Sequence, residues 1–472
     1  MIKDINLILE DELTKLVNLS VYEMMNKFEK RLDNKESSLM LLTEDVKEIT
    51  NKLAVKVIEQ YARSIDMIYN NNLRDKVEVK ITHANKHKRI LSDIGEINFV
   101  RKRYVANGEP FYIVDNFLEL DKRQRIEKGY QSKIINLSTS TSYNKAAILL
   151  DGDISSRTAL NIVKRNCGKA VNLISGIQDS KMKYVDKLYI EADEDHVHLK
   201  KKNRGIVKLV YVHEGYKYDD VLQKRVLINP RYFSTNRSAT YMWTQVRDYI
   251  KSRYYPGTPI SISGDGASWI KMSLKIFPNA KFQLDKFHVY QTVVRLSRGR
   301  EDKIQEYLQA LKNKDSEFLK QNYYKRYKKD AIQDESSGQM YGILYLLNNL
   351  KYINLDKENV CCSAESHVSH ILSARMSSRP MTWSKEGANV MATYRAYQAN
   401  KISFNKIFSN VDTKQKKCAT INSTKEGAAE YSSLARIHSS NSVLGIEGLQ
   451  DKISECLKNV LSKCKAAFSR IL

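Results

Sequence analysis

Tyr189–Lys200 reads YIEADEDHVHLK, and its alternation decides how the chain is read. Leu188, Ile190 and Ala192 fall on one face of an extended strand, and Tyr189, Glu191 and Asp193 on the other. Four carboxylates (Glu191, Asp193, Glu194, Asp195) and two imidazoles (His196, His198) crowd the same stretch. A strand of this kind has an apolar side to bury and an acidic side to use.

Working outward, strand-like runs follow at Gly205–Gly215 and Arg225–Ser234, then a helical stretch at Thr240–Arg253. A short strand at Ile260–Ser263 leads into Gly264-Asp265-Gly266. Ala267–Phe277 reads as helix, Ala280–Leu284 as strand, and DKFHVYQTVVRLSR (285–298) as helix. Three strands, then helix, strand, helix, strand, helix, is the element order of an α/β ribonuclease-H-like fold. Asp265 lies just past a strand, where acids of α/β sheets point into the ligand crevice. Its flanking glycines allow close approach. Two divalent ions would need a third acid, and Glu365 in CCSAESHVSH and Glu386 in SKEGANV are the candidates.

Charge points to the partner. The 472 residues carry 78 Lys+Arg against 54 Asp+Glu, a net +24. That balance favours a polyanion, with double-stranded DNA ahead of an anionic membrane surface. No apolar run approaches the roughly 18 residues of a membrane span, and MIKDINLILEDELTKL lacks a signal-peptide pattern. A cytoplasmic, nucleoid-associated chain is expected. The six cysteines show no CxxC spacing, so reduced structural thiols are expected rather than a zinc ribbon.

The remaining segments suggest further domains. Residues 1–74 read as two amphipathic helices and 75–120 as a small basic β unit containing VEVKITH, EINFVRKRYV and PFYIVDNF. Arg89, Arg101, Lys102 and Arg103 are its candidate phosphate contacts. Residues 121–180 include SYNKAAILLDGDISSRTALNIVKR, a layout that suits a helix-turn-helix capped by Ser155 or Ser156. Arg157, Lys164 and Arg165 on its second helix are candidate DNA contacts. The catalytic domain is expected over 185–400 with a polar helical insertion at 291–360, followed by a tail and final helix over 401–472.

In order along the chain, YIEAD, SGDGASWI, FPNAKFQLDKFHV, AESHVSHILSARM and RPMTWSKEGANVM resemble the ISLre-type family of bacterial insertion-sequence transposases, relatives of the Mutator-like DDE transposases. The resemblance implies a ribonuclease-H-like domain with an Asp, Asp, Glu triad at Asp193, Asp265 and Glu365. It also implies two Mg²⁺ (or Mn²⁺) ions, terminal inverted repeats and target DNA as partners, and a homodimer or larger assembly on DNA. His288, with Asp285 three residues before it, matches the family's element after the second acid. First acids of this kind are often followed by Gly, whereas Glu194 and Asp195 follow Asp193, which keeps Asp195 as an alternative. Glu386 remains the alternative to Glu365. His196 and His198 have a chelating spacing but no Cys or third His nearby, so magnesium is favoured over zinc. A DNA-binding protein without catalysis, or a ribonuclease-H-like nuclease that does not transpose, would fit much of the same pattern.

Overall fold

The computed structural model describes residues 2–409 apart from 37, 74–78, 107, 177–181, 202, 222, 331–336 and 356–361. The expected final helix lies outside the described residues. The chain divides into two compact units, one reaching Gln131 and the other spanning Ser132–Ile407.

In the first unit, helices α1 (Ile2–Asp33) and α2 (Leu39–Leu73) pack together, tied by Lys27 and Arg31 to the buried Asp45. Strands β1 (Lys80–Ser92), β2 (Gly95–Ala106) and β3 (Glu109–Phe111) form an antiparallel sheet. β3 covers only Tyr104–Ala106 of β2, leaving earlier amides of that strand without a strand partner. Acids on α2 serve two of them: Glu59 accepts from the Asn98 amide at 2.8 Å and Asp66 from the Lys102 amide at 2.6 Å. Ile65, Tyr69, Phe99 and Tyr104 fill the core behind them. The run PFYIVDNF is only briefly a strand. After Phe111 it turns into helix α3 (Ile113–Phe117), because Ile113, Val114 and Phe117 meet the core at helical spacing.

The second unit opens with α4 (Lys128–Ser140), whose first residues belong to the preceding unit, α5 (Tyr143–Ile148) and α6 (Ser156–Ser175). Asp151 and Gly152 take left-handed backbone between α5 and α6. Ser155 caps α6 by accepting from the Thr158 amide at 3.1 Å.

A mixed five-stranded sheet follows: β4 (Leu188–Leu199), β5 (Asn203–His213), β8 (Arg231–Thr235), β9 (Ile260–Gly264) and β10 (Lys281–Leu284), with β6 (Tyr216–Asp219) and β7 (Lys224–Leu227) set apart as a hairpin. Its order is β10-β9-β4-β5-β8. β5 is antiparallel to β4 and to β8, while β9 runs parallel to β4 and to β10. The stretch 225–234 is therefore two strands, not one. Pro230 has no amide to donate and Asn229 is left-handed, so the chain leaves the hairpin there and enters the sheet.

Both faces of the sheet are covered. Phe233 meets Tyr249 of α7 (Ala239–Arg253) on one side. Tyr232 stacks on His367 of α14 (Ala364–Val368) on the other. Between β9 and β10 lie the short helices α8 (Ser268–Lys271) and α9 (Ser273–Ile276). Helices α10 (Lys286–Ser297), α11 (Glu301–Lys312), α12 (Ser316–Asp330) and α13 (Ser337–Asn349) share a core of Val293, Leu296, Ile304, Leu311, Ile343 and Leu346. After α14 the helix widens to a π turn over Ser369–Ser373, continues as α15 (Ala374–Met376), and restarts as α16 (Lys385–Ala399). α6 packs on α16, where Tyr394 donates to the Val163 carbonyl at 3.1 Å. Among the described residues no helix is long and apolar enough to cross a membrane.

Candidate active site

Asp193 sits mid-way along the central strand β4, only 5% exposed. One carboxylate oxygen accepts from the Glu194 amide at 2.8 Å. The other, Oδ2, is buried without a hydrogen-bond partner. Burial pushes this carboxyl up to about 7, and the nearby charges of Asp265 and Glu365 push the same way, while His288 opposes them. The fold therefore brings Asp193, Asp265, Glu365 and His288 into one electrostatic neighbourhood.

Asp265 reaches it because its flanking glycines let strands and helices close around the turn. A Cβ on Gly264 would lie 2.7 Å from the Ala192 carbonyl oxygen on β4. Gly266 holds φ +86°, and a Cβ there would lie 2.7 Å from Leu284 and 2.9 Å from Asn349 of α13. Asp265 accepts from the Ala267 amide at 2.8 Å, and its carbonyl accepts from Tyr345 of α13 at 2.9 Å. Helix α13 thus braces this loop. Asp285 caps α10 through the Phe287 amide and binds His288 Nδ1 at 2.9 Å. That bond is the main reason the His288 pKa is raised; the negative charges of Asp193 and Asp265 add to it.

Glu191, two residues before Asp193, is already fully engaged. It accepts from Tyr211 at 2.6 Å, His213 Nε2 at 3.0 Å and Tyr216, and from the Ser363 amide and hydroxyl at 2.5 and 3.1 Å. His213 Nδ1 lies within hydrogen-bond reach of both the carbonyl and the amide of Gly215, at 3.1 and 3.2 Å, which turns Nε2 toward Glu191. Burial alone would raise this carboxyl, but the donors from His213, Tyr211 and Tyr216 outweigh it and hold the pKa at about 2. Ser363 immediately precedes α14, and Glu365 is exposed in the first turn of that helix. Glu191 therefore ties the helix bearing Glu365 to the strand bearing Asp193.

The alternatives stand elsewhere. Ser377 donates to both oxygens of Asp195 at 2.9 Å, so that carboxylate is engaged. Glu386 is on the surface and pairs with Lys164 at 2.9 Å. His196 and His198 are exposed on the strand face opposite Asp193. Trp269 donates to the Glu194 carboxylate and Trp383 to the Met376 carbonyl, so one indole holds a side chain of β4 and the other the end of α15.

The basic residues divide by burial. Arg89 is exposed and paired with Glu96. Arg101 does not offer its charge to solvent: it is ion-paired with Asp115, lies 3.8 Å from the Tyr112 ring, and burial lowers its pKa. Lys102 and Arg103 are half-buried. On α6, Arg157 and Arg165 are exposed, two turns apart, while Lys164 meets Glu386.

Tyr211, His213, Tyr216, Ser363 and Ser377 were not singled out by the sequence. Tyr211 and His213 alternate in VKLVYVHEG, and that spacing was the available signal. Among the described residues no three His, Cys, Asp or Glu side chains are gathered closely enough to hold a metal ion as placed. The donor chemistry still fits a hard cation. An orphaned Asp193 oxygen whose ionisation is resisted first by burial and then by neighbouring acids would be stabilised by a divalent ion.

The family model of UPF0236, an uncharacterised protein family, matches residues 32–412. This chain belongs to UPF0236. A UPF0236 protein of Caldanaerobacter subterraneus subsp. tengcongensis, whose name joins eleven serial designations, is 33% identical over 388 residues, covering 80% of this chain and 81% of its own. A UPF0236 protein of Streptococcus gallolyticus is 23% identical over 403 residues, covering 79% of this chain and 84% of its own. The solved Mos1 transposase paired-end complex with left transposon end overlaps 49% of this chain and 78% of its own, at 10% identity and a TM-score of 0.12. At that score the overlap bears on neither fold nor activity.

Proposed function

We propose that this UPF0236 member is a DDE transposase of a bacterial insertion sequence, with a ribonuclease-H-like catalytic sheet and Asp193, Asp265 and Glu365 as its acids. The observation that carries the reading is the unpartnered, buried carboxylate oxygen of Asp193 on the central strand of a sheet ordered β10-β9-β4-β5-β8, with Asp265 directly past the strand paired beside it and Glu365 near enough for its charge to raise the Asp193 pKa. The net charge of +24 supports a DNA partner. So does the relative with eleven joined designations: one protein encoded at many places in a genome is the pattern that copying of mobile DNA leaves.

Asp193, Asp265 and Glu365 would hold two Mg²⁺ or Mn²⁺ ions, which when bound supply positive charge to the attacking and leaving oxygens of a phosphodiester. The protein's own groups do the rest. Glu191, through Ser363, holds the Glu365 helix against β4. Tyr345 and the tight glycines hold the Asp265 loop. Asp285 accepts from His288 Nδ1 and favours the protonated ring, whose Nε2–H would donate to a phosphate oxygen; in the neutral ring Nε2 would accept from a hydroxyl. Arg157 and Arg165, exposed on α6, would contact phosphate.

DNA carrying the ends that flank the gene, incubated with the protein and Mg²⁺ or Mn²⁺, should be cut at the ends and joined to target DNA. Asp265→Asn and Glu365→Gln should each abolish both steps. Wild-type rates in either variant would refute the triad. Cutting without joining would indicate a nuclease instead, and metal-independent end binding alone would indicate a DNA-binding protein.

A further inference from the structure

A cleft of about 590 Å³ opens between α10 and α11, reached by Asp285 at the start of α10. Its volume lies in the range of small-ligand sites. Phe287 and Tyr290 line it, 52% and 51% exposed, on adjacent turns of one helix face, while their neighbours Val289 and Val293 are buried in the helical core. Gln305, Gln309 and Lys312 line it from α11. Asp285, the partner of His288, also lines it, and so does Cys362, which directly precedes the Ser363 held by Glu191.

Two exposed rings provide flat apolar faces. Amides supply a donor and an acceptor at the edge of a planar group, and a lysine supplies charge for an anion. A nucleobase with its phosphate combines these three needs. We propose that this cleft receives an unpaired nucleobase of the DNA strand delivered to the carboxylates, a step that rests on the DNA reading above. Phe287 and Tyr290 stack on the base, Gln305 and Gln309 bond its edge, and Lys312 meets the neighbouring phosphate.

The test uses the full chain in EDTA, so that no strand is cut, and fluorescence anisotropy with two labelled probes. One is a short oligothymidylate; the other is an abasic strand with the same number of phosphates. The double variant Phe287→Ala/Tyr290→Ala should lose about tenfold to a hundredfold in affinity for the oligothymidylate, from the loss of stacking. It should lose less than about twofold for the abasic strand, which keeps the phosphates. Lys312→Ala should weaken both probes alike. Both rings are exposed, and Phe287→Leu/Tyr290→Leu, which keeps apolar bulk without a π face, should reproduce the selective loss.

Equal binding of both probes by the wild type, or unchanged oligothymidylate binding by the double variant, overturns the proposal. So does tighter binding of oligouridylate, which would make the cleft an RNA site. Failure here can be told from failure of the transposase reading. If Asp265→Asn abolishes end cleavage while the aromatic variants bind normally, the cleft proposal falls alone. If aromatic-dependent binding holds while Asp265→Asn still cleaves, the triad falls and the cleft stands.

Discussion

Replacing Glu191 with Gln should unfasten the site without changing its shape. Glu191 is buried and takes hydrogen bonds from Tyr211, His213, Tyr216 and Ser363, and His367 packs against Tyr211. A carboxyl that ionises near 4.5 when unfolded and at about 2 here lends roughly 3 kcal/mol to the fold at neutral pH. The hydrogen bonds give a similar figure. A Gln keeps one acceptor oxygen but aims its NH₂ at groups that also donate, and each buried donor left unpaired costs about 1–3 kcal/mol. The sign follows from the depressed pKa. The stabilisation is fully present above about pH 4.5 and is lost as pH falls toward 2, where the wild type must also take up a proton.

Urea unfolding in EDTA measures this directly. Trp243, Trp269 and Trp383 all lie in the second unit, so their fluorescence reports on that unit. Glu191→Gln should be about 3 kcal/mol less stable at pH 7, and the gap should narrow between pH 4.5 and 2. At a temperature where both proteins are folded, end cleavage should still fall at least tenfold, because Ser363 no longer fixes the helix bearing Glu365. A gap below about 1 kcal/mol at pH 7, or one that does not change with pH, would refute the account of Glu191. Unchanged cleavage in the folded variant would refute its link to Glu365.

Asp193 should behave in the opposite sense. Its pKa is raised to about 7, so stability present below about pH 4 is lost as pH rises through 7, by up to about 4 kcal/mol. Thermal melting at pH 8 in EDTA should find Asp193→Asn more stable than wild type, and added Mg²⁺ should stabilise only the wild type; a variant no more stable at pH 8 than the parent counts against this. Gly264→Ala forces a Cβ to 2.7 Å from a backbone oxygen, and should cost about 2 kcal/mol or more in urea unfolding. Arg101→Ala should destabilise the fold by about 1–3 kcal/mol through the partly buried Asp115 left unpaired, whereas Arg157→Ala should leave the melting temperature unchanged and weaken DNA binding with a shallower salt dependence.

Much of the sheet around Asp193 was legible because its signals are local. Period-two alternation placed Leu188, Ile190 and Ala192 opposite Glu191 and Asp193, and the structure keeps that division along β4. The glycines around Asp265 announced a close approach, and Gly264 indeed lies against the Ala192 carbonyl. The errors came where tertiary context overrode a local pattern. PFYIVDNF carries the strand formers Phe111, Tyr112, Ile113 and Val114 in a row, yet β3 has only three residues of β2 to pair with, and the rest follows the core as a helix. The run 225–234 looked continuous until Asn229 and Pro230 broke it.

The site's internal wiring was illegible for a different reason. Glu191 and Ser363 are separated by 172 positions, and nothing in either neighbourhood names the other. Charge counting could not separate Arg101 from Arg89 either, since one finds Asp115 and Tyr112 inside the first unit and the other stays in water. The acids of YIEADEDHVHLK thereby acquire distinct work from their partners. Glu191 is saturated by donors and can only hold the structure. Asp195 is occupied by Ser377, and Glu194 receives the Trp269 indole. Asp193 alone among them keeps a buried oxygen without a partner beside two further acids. An unsatisfied acceptor of that kind is costly unless something positive completes it, which is why the cation test at Asp193 bears most directly on the proposed chemistry.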